Sequence, residues 1–304
     1  TLTPQSPMLR SLVGSEMCIR DSTVRDTAHM YDNLFGNSVG DPYGVHYEKG
    51  SLIKALNQKK KLKIGFNLIS PVGINPSNDA IEAIKFNANL CESLGHDVEE
   101  MGFNYDGLLA SRAFTIIITS HVSQMFNELK DIVGRRYRKK EVETTTRLFD
   151  YLGKSYRASD YTWARYTMQS IARKVMQDTD KYDVVLTPII SQQPPQLGEI
   201  RPDSRSRLIS EIIMSLRLGF IFRIKPIRDA ILNTLAPQSL WYAPDAMLQN
   251  ITGQPAISIP TYWTVTGIPL GVQYTSRYAD EATLIALASE LEEAAPWIKR
   301  IPNL

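Results

Sequence analysis

From Thr23 onward the chain alternates between stretches whose apolar residues recur at helical spacing and short continuous apolar runs, the pattern of an α/β layered domain. In "TVRDTAHMYDNLFG", Val24, Ala28, Tyr31 and Leu34 fall near one helical face and Gly36 is placed to end the helix. "LKIGFNLI" reads as a strand. "SNDAIEAIKFNANLCESLG" follows, with Ser77 as N-cap, Ile81, Ile84, Ala88 and Cys91 on one stripe and Gly95 as the stop. "HDVEEM" then makes a second strand.

Residues 107–180 read as a helical layer, with Ala164, Met168, Ile171 and Val175 as a core stripe. "YDVVLTPII" holds a buried strand, Val184 to Leu186, which Thr187 and Pro188 turn out of the sheet. Beyond the loop "SQQPPQLGEI", two helical segments are expected over about 206–234. "NITGQPAISIPTYWTVTGIPLGVQYTS" carries a turn and two strands, Ala256 to Ile259 and Leu270 to Tyr274, around a Gly/Pro-rich loop. The last helix, in "DEATLIALASELEEAAPW", has Asp280 as N-cap and Leu284, Leu287 and Leu291 on one face.

A chain of 304 residues, 43% hydrophobic and 22% charged, buries a sizeable core, which excludes a disordered or fibrous protein. Its 34 basic and 32 acidic residues leave a net charge of +2, so no global field draws it to nucleic acid or to an acidic membrane. Two local features are consistent with that. "GRRYRKK" at 134–140 reads as an exposed helix connection, and "KKKLK" as a solvated lead-in to a strand. The apolar run "IIMSLRLGFIF" at 212–222 is too short to span a bilayer and is interrupted by Arg217, so it reads as a buried or pocket-lining helix. Two cysteines, Cys18 and Cys91, exclude a disulfide framework or a cysteine metal site and fit a reducing compartment, so the cytoplasm is the expected location. Cys91 lies on the buried stripe and reads as a core residue.

Motif chemistry is sparse. No GxGxxG, GxxxxGK[ST], HExxH or CxxC stands in the chain, and no cofactor or metal is expected. A GxSxG match, "GNSVG" at 36–40, follows a helix and runs into a turn, whereas a nucleophile elbow needs a strand before it and a helix after it. His29, His46, His96 and His121 show no ligand spacing and read as polar surface or capping residues. The acidic pairs Glu99–Glu100 and Glu292–Glu293 are adjacent in sequence and point different ways, so no general acid/base pair follows from them.

"YDVVLTPII…QPPQLGEI", "NITGQPAISIP", "GIPLGVQY" and "DEATLIALASELEEAAPW", in this order, resemble the C-terminal part of the amidase signature family. "TVRDTAHMYDNLFGNSVGDPY" resembles the segment after that family's catalytic core, and "LKIGFN…SNDAIEAIKFNANLCESLGHDVEE" its next strand–helix–strand unit. Region 107–180 and "LWYAPDAMLQNITGQPAISIP" are most similar to bacterial amidases of the 6-aminohexanoate-cyclic-dimer hydrolase type. The resemblance implies an α/β fold with a mixed β-sheet flanked by helices, incomplete here at its N-terminal side. It also implies hydrolysis of carboxamides by a Ser nucleophile, a second Ser in a cis peptide and a Lys base.

In the family those three residues lie in a Gly/Ser-rich stretch upstream of "TVRD", and no such stretch precedes Thr23. "SLVGSEMCIRDS" at 11–22 instead resembles a translated sequencing adapter. The expectation is therefore a non-native segment 1–22, followed by the C-terminal portion of a single amidase domain over 23–304. The chain as written is expected to be inactive and, with sheet edges left open, poorly soluble.

By matching position, Pro188, Pro244, Met247, Asn250 and Thr252 are implied to face the acyl side of the substrate, and Met247, Leu240 and Trp241 would suit an aliphatic or aromatic acyl group. A structural alternative stays open for several: Pro188 ends a strand, and Asn250 and Thr252 cap or bridge the turn at Gly253. The expected partner is a small-molecule amide, with no nucleic acid and no membrane; a homodimer is left open. Two other functions are weighed beside hydrolysis: an amidotransferase subunit working on charged tRNA, and a non-catalytic binding protein on the same fold.

Overall fold

The computed structural model describes residues 19–34, 36, 39, 48–199, 211, 214 and 218–300. The chain divides into two compact units, Thr1–Tyr105 with Ala172–Gln193 and Tyr242–Leu304, and Asp106–Ile171 with Pro194–Trp241. Cys18, His46 and Ser38 of "GNSVG" lie outside the described residues, as does most of 200–217.

The first unit is built on five strands: β1 (Lys63–Phe66), β2 (Asp97–Glu100), β3 (Val184–Pro188), β4 (Ala256–Trp263) and β5 (Pro269–Ser276). Their order is β2-β1-β3-β5-β4, with β1 parallel to both β2 and β3 and β5 antiparallel to both β3 and β4. The sheet is thus mixed and flanked by helices, as the resemblance implies. β3, the continuous apolar run, is buried at every position, and Thr187 and Pro188, expected to leave the sheet, stay in the strand opposite Gln273 and Val272 of β5.

Helices α1 (Val24–Leu34), α2 (Ser51–Ala55) and α3 (Asn78–Ser93) precede and follow β1. The Ser77 side chain accepts from the Ala80 N–H, the capping read from the sequence. Ile64, Ile84, Leu186, Val272, Leu287 and Leu291 meet in one core cluster. The face of α1 differs from the sequence pattern: Leu34 is 55% exposed, and Asp32 turns inward instead. Its carboxylate accepts the N–H groups of Leu52 at 3.3 Å and Ile53 at 3.1 Å, at the positive end of α2.

Under the sheet lies a polar network with its groups satisfied. Asn87 is fully buried, and its Oδ1 accepts from Tyr274 Oη at 2.7 Å and Thr261 Oγ1 at 2.5 Å, while its Nδ2 donates to the Ala83 carbonyl at 2.8 Å. Cys91 is buried beside it, and burial pushes its thiol up to about 12, so it is a neutral core residue at physiological pH.

The second unit is helical, with α4 (Gly107–Val133), α5 (Thr144–Gly153), most of α6 (Ala158–Thr179), a 3₁₀ segment at Leu218–Arg223 and α7 (Lys225–Ser239). Ser111, Thr115, Thr119 and Ser123 make a buried stripe of small hydroxylated residues along α4. Gly153 of α5 sits against it: a Cβ there would collide with the Thr119 carbonyl oxygen and come within 2.8 Å of Ser123 Cβ. Charges are also buried in this unit. Arg147 pairs with Glu211, which Lys139 also contacts at 2.6 Å, and Arg228 pairs with Asp160 at 3.1 Å. In the 134–140 connection, Arg135 and Glu141 form a bidentate pair on the surface.

Candidate functional site

The topology itself nominates a place for chemistry. Strands β2, β1 and β3 are parallel, so their following loops emerge at one edge of the sheet. The connection after β1 runs through α3 to β2 on one side, while β3 lies on the other side, which makes the crevice between the ends of β1 and β3 a switch point. Hydrogen bonds close the loops onto one another there. The Asn67 N–H donates to the Leu186 carbonyl at 2.9 Å, the Ser77 N–H to the Ser191 carbonyl at 2.7 Å, and the Ser191 N–H to the Tyr242 carbonyl at 2.6 Å. The last of these fastens the segment leading into α8 (Met247–Thr252) to the loop after β3.

All five residues implied by the resemblance belong to this unit. Pro188 is buried at the end of β3, opposite Val272. Pro244 is buried in the segment before α8, and Met247 opens that helix and is itself buried. Asn250 is half-buried and donates from Nδ2 to the Ala246 carbonyl at 3.2 Å. Thr252 is buried, with Oγ1 accepting from the Gln254 N–H at 3.3 Å. Between them Gly253 adopts φ 74°, the left-handed conformation that ends the helix. Asn250 and Thr252 therefore hold the turn through backbone contacts. Leu240 and Trp241 fall in the other unit.

Three residues that the sequence reading did not single out stand at the same edge: Ser70 after β1, Tyr105 after β2 and Asp245 between Pro244 and Met247. All three are buried, Asp245 completely. Neither carboxylate oxygen of Asp245 has a hydrogen-bond partner among the described residues, and nor does Tyr105 Oη. Burial pushes the Asp245 carboxyl up to about 6; the Ser70 hydroxyl stands near it without completing a hydrogen bond and pulls the other way. Burial and the Asp245 charge both raise the Tyr105 phenol. An aspartate inside the otherwise apolar "LWYAPDAML" was the available signal. Chemically, the edge offers a carboxyl acceptor with both oxygens unspent.

His96 departs from the surface role. It is buried, accepts the Leu62 N–H at Nδ1 over 3.3 Å, and presents Nε2 to the Glu290 carboxylate at 3.5 Å. Among the described residues, no serine hydroxyl is hydrogen-bonded to a lysine, no group of three His, Cys, Asp or Glu side chains could hold a metal ion, and no helix is long and apolar enough to cross a membrane. A cavity of about 720 Å³ runs along the outer edge of β4, walled by Val24, Tyr31, Ile257, Leu284 and Trp297; none of the five residues lines it.

The family model described as Amidase matches residues 19–221. The chain belongs to the amidase family. A 6-aminohexanoate-cyclic-dimer hydrolase of Pseudomonas sp. (strain NK87) is 25% identical over 300 residues, covering 93% of this chain and 54% of that protein. A solved structure of 6-aminohexanoate cyclic dimer hydrolase complexed with substrate superposes with a TM-score of 0.73 at 23% identity, over 92% of this chain and 55% of the other. A bacterial aryl acylamidase of the amidase signature family superposes with a TM-score of 0.67 at 19% identity, over 92% and 54%. The likeness in fold and in subgroup agrees with the segments quoted above. The chain spans about half the length of the curated relatives it matches.

Proposed function

We propose that this chain is the C-terminal part of an amide hydrolase that converts a carboxamide and water to a carboxylate and an amine or ammonia. The observation that carries the reading is the family match across residues 19–221, supported by relatives named as amidases and as a 6-aminohexanoate-cyclic-dimer hydrolase. Hydrolysis proceeds through a Ser nucleophile relayed by a second Ser to a Lys base. The nucleophile forms an acyl-enzyme, expels the amine with the relayed proton, and water then releases the acid. That trio is not in the 304 residues, and the loops after β1 and β3, with Pro188, Pro244, Met247, Asn250 and Thr252, contribute the acyl wall. Segment 1–22, outside the family match except for residues 19–22, is foreign to the enzyme. The substrate is a small aliphatic or aromatic amide.

The test pairs two polypeptides: the 304-residue chain, and the product of the gene read in its source DNA upstream of the Thr23 codon. Release of carboxylate from 6-aminohexanoate cyclic dimer, hexanamide and an anilide is followed for each. The reading predicts turnover by the second and none by the first. Turnover by the 304-residue chain overturns the mechanism; turnover by neither overturns the function and leaves a binding protein.

A further inference from the structure

We propose that Asp245 is a specificity-determining residue of the acyl side, accepting hydrogen bonds from a nitrogen donor, an ammonium or an amide N–H, carried on the substrate's acyl chain. The inference deepens the amide-hydrolase reading and rests on it. Asp245 lies between Pro244 and Met247, at the edge where the loops after β1 and β3 meet. It is completely buried, with both carboxylate oxygens unpartnered. In the same unit the buried Asn87 amide finds its partners, whereas His96 Nε2, Gln249 Oε1 and Tyr105 Oη, like both Asp245 oxygens, have no hydrogen-bond partner among the described residues.

The groups facing it are the Ser70 hydroxyl and the Tyr105 phenol, and no lysine, arginine or histidine among the described residues pairs with it. A buried acceptor whose neighbouring hydroxyls complete no hydrogen bond to it is costly to hold, and a ligand that brings a donor offsets that cost, so a nitrogen on the acyl chain is favoured over a methyl group in the same place.

The probes are 6-aminohexanamide and hexanamide, identical except for the terminal ammonium, titrated calorimetrically into the 304-residue chain at pH 5.0 and 7.5. The expected result is at least tenfold tighter binding of 6-aminohexanamide at pH 7.5. That preference should shrink at pH 5.0, where Asp245 holds its own proton, and fall to within twofold in Asp245→Asn. Unfolding curves confirm that the variant is folded. Hexanamide binding with no preference for the amine overturns this inference and leaves the acyl wall standing; a preference that survives in Asp245→Asn assigns it to another residue and also overturns it. Binding of neither probe overturns both the inference and the acyl-wall assignment.

Discussion

Two buried polar clusters in the same unit make an instructive contrast. Around Asn87, three side chains and a carbonyl exchange three hydrogen bonds, and the network ties α3 to β4 and β5. Around Asp245, three loops bring together a carboxyl and a phenol that spend none of their capacity on each other. Folding alone accounts for the first, because a satisfied network fixes the register of a helix against a sheet. It does not account for the second, since a chain selected only for stability would place an apolar residue at 245. The difference marks the carboxyl edge of the sheet, rather than its underside, as the place where a ligand is awaited.

The contrast can be broken at its satisfied end first. Asn87→Leu strands the hydroxyls of Tyr274 and Thr261 in the core, and should cost roughly 4 kcal/mol of unfolding free energy in urea, at about 1–3 kcal/mol for each buried group left unpaired. A loss below about 1 kcal/mol would show that the network is not structural.

The unsatisfied end should respond in the opposite direction. The folded pKa of Asp245, about 6, lies above the ordinary 3.8, so its cost is absent below pH 3.8 and sets in as pH rises through about 6. Asp245→Asn should therefore stabilise the chain at pH 7.5 by about 2–3 kcal/mol, the linkage value of a shift of this size, and by almost nothing near pH 4. Destabilisation at pH 7.5 would mean that the carboxylate has a partner after all.

A smaller effect sharpens the comparison from outside both clusters. Desolvation lowers the pKa of His96 below 6.5, with Glu290 opposing. A depressed folded value means the stability is present above pH 6.5 and is lost as pH falls through the folded pKa, because the protonated ring no longer accepts the Leu62 N–H. About 1 kcal/mol should disappear, the worth of one buried hydrogen bond. The measurement belongs in the Asp245→Asn background, where the opposing titration is gone; a His96→Gln chain with the same pH slope would refute it.

Much of this fold was legible because short-range periodicity reports it. The β3 run, the Ser77 and Asp280 caps, the Cys91 stripe and both strands around the Gly/Pro loop follow from spacings of two and of three to four residues. What escaped depends on partners distant in the chain. Leu34 completes a helical face on paper, but Asp32 takes the inward position because α2 presents N–H groups to it. Arg147 and Arg228, which no sequence spacing singled out, are buried beside Glu211 and Asp160. The site suffered most. The family segments marked the stretch around Pro244, while Ser70, Tyr105 and Asp245 sit on three separate loops and acquire meaning only when the parallel strands bring those loops to one edge.

The most direct test of the central claim is a carbon-13 NMR titration of the Asp245 carboxyl, assigned by comparison with Asp245→Asn, in the free chain and with saturating 6-aminohexanamide. The expected midpoint is near 6 in the free chain and more than a pH unit lower with the ligand bound. An ordinary carboxylate midpoint near 3.8 in both samples would contradict it, and with it the claim that this buried carboxyl awaits a donor.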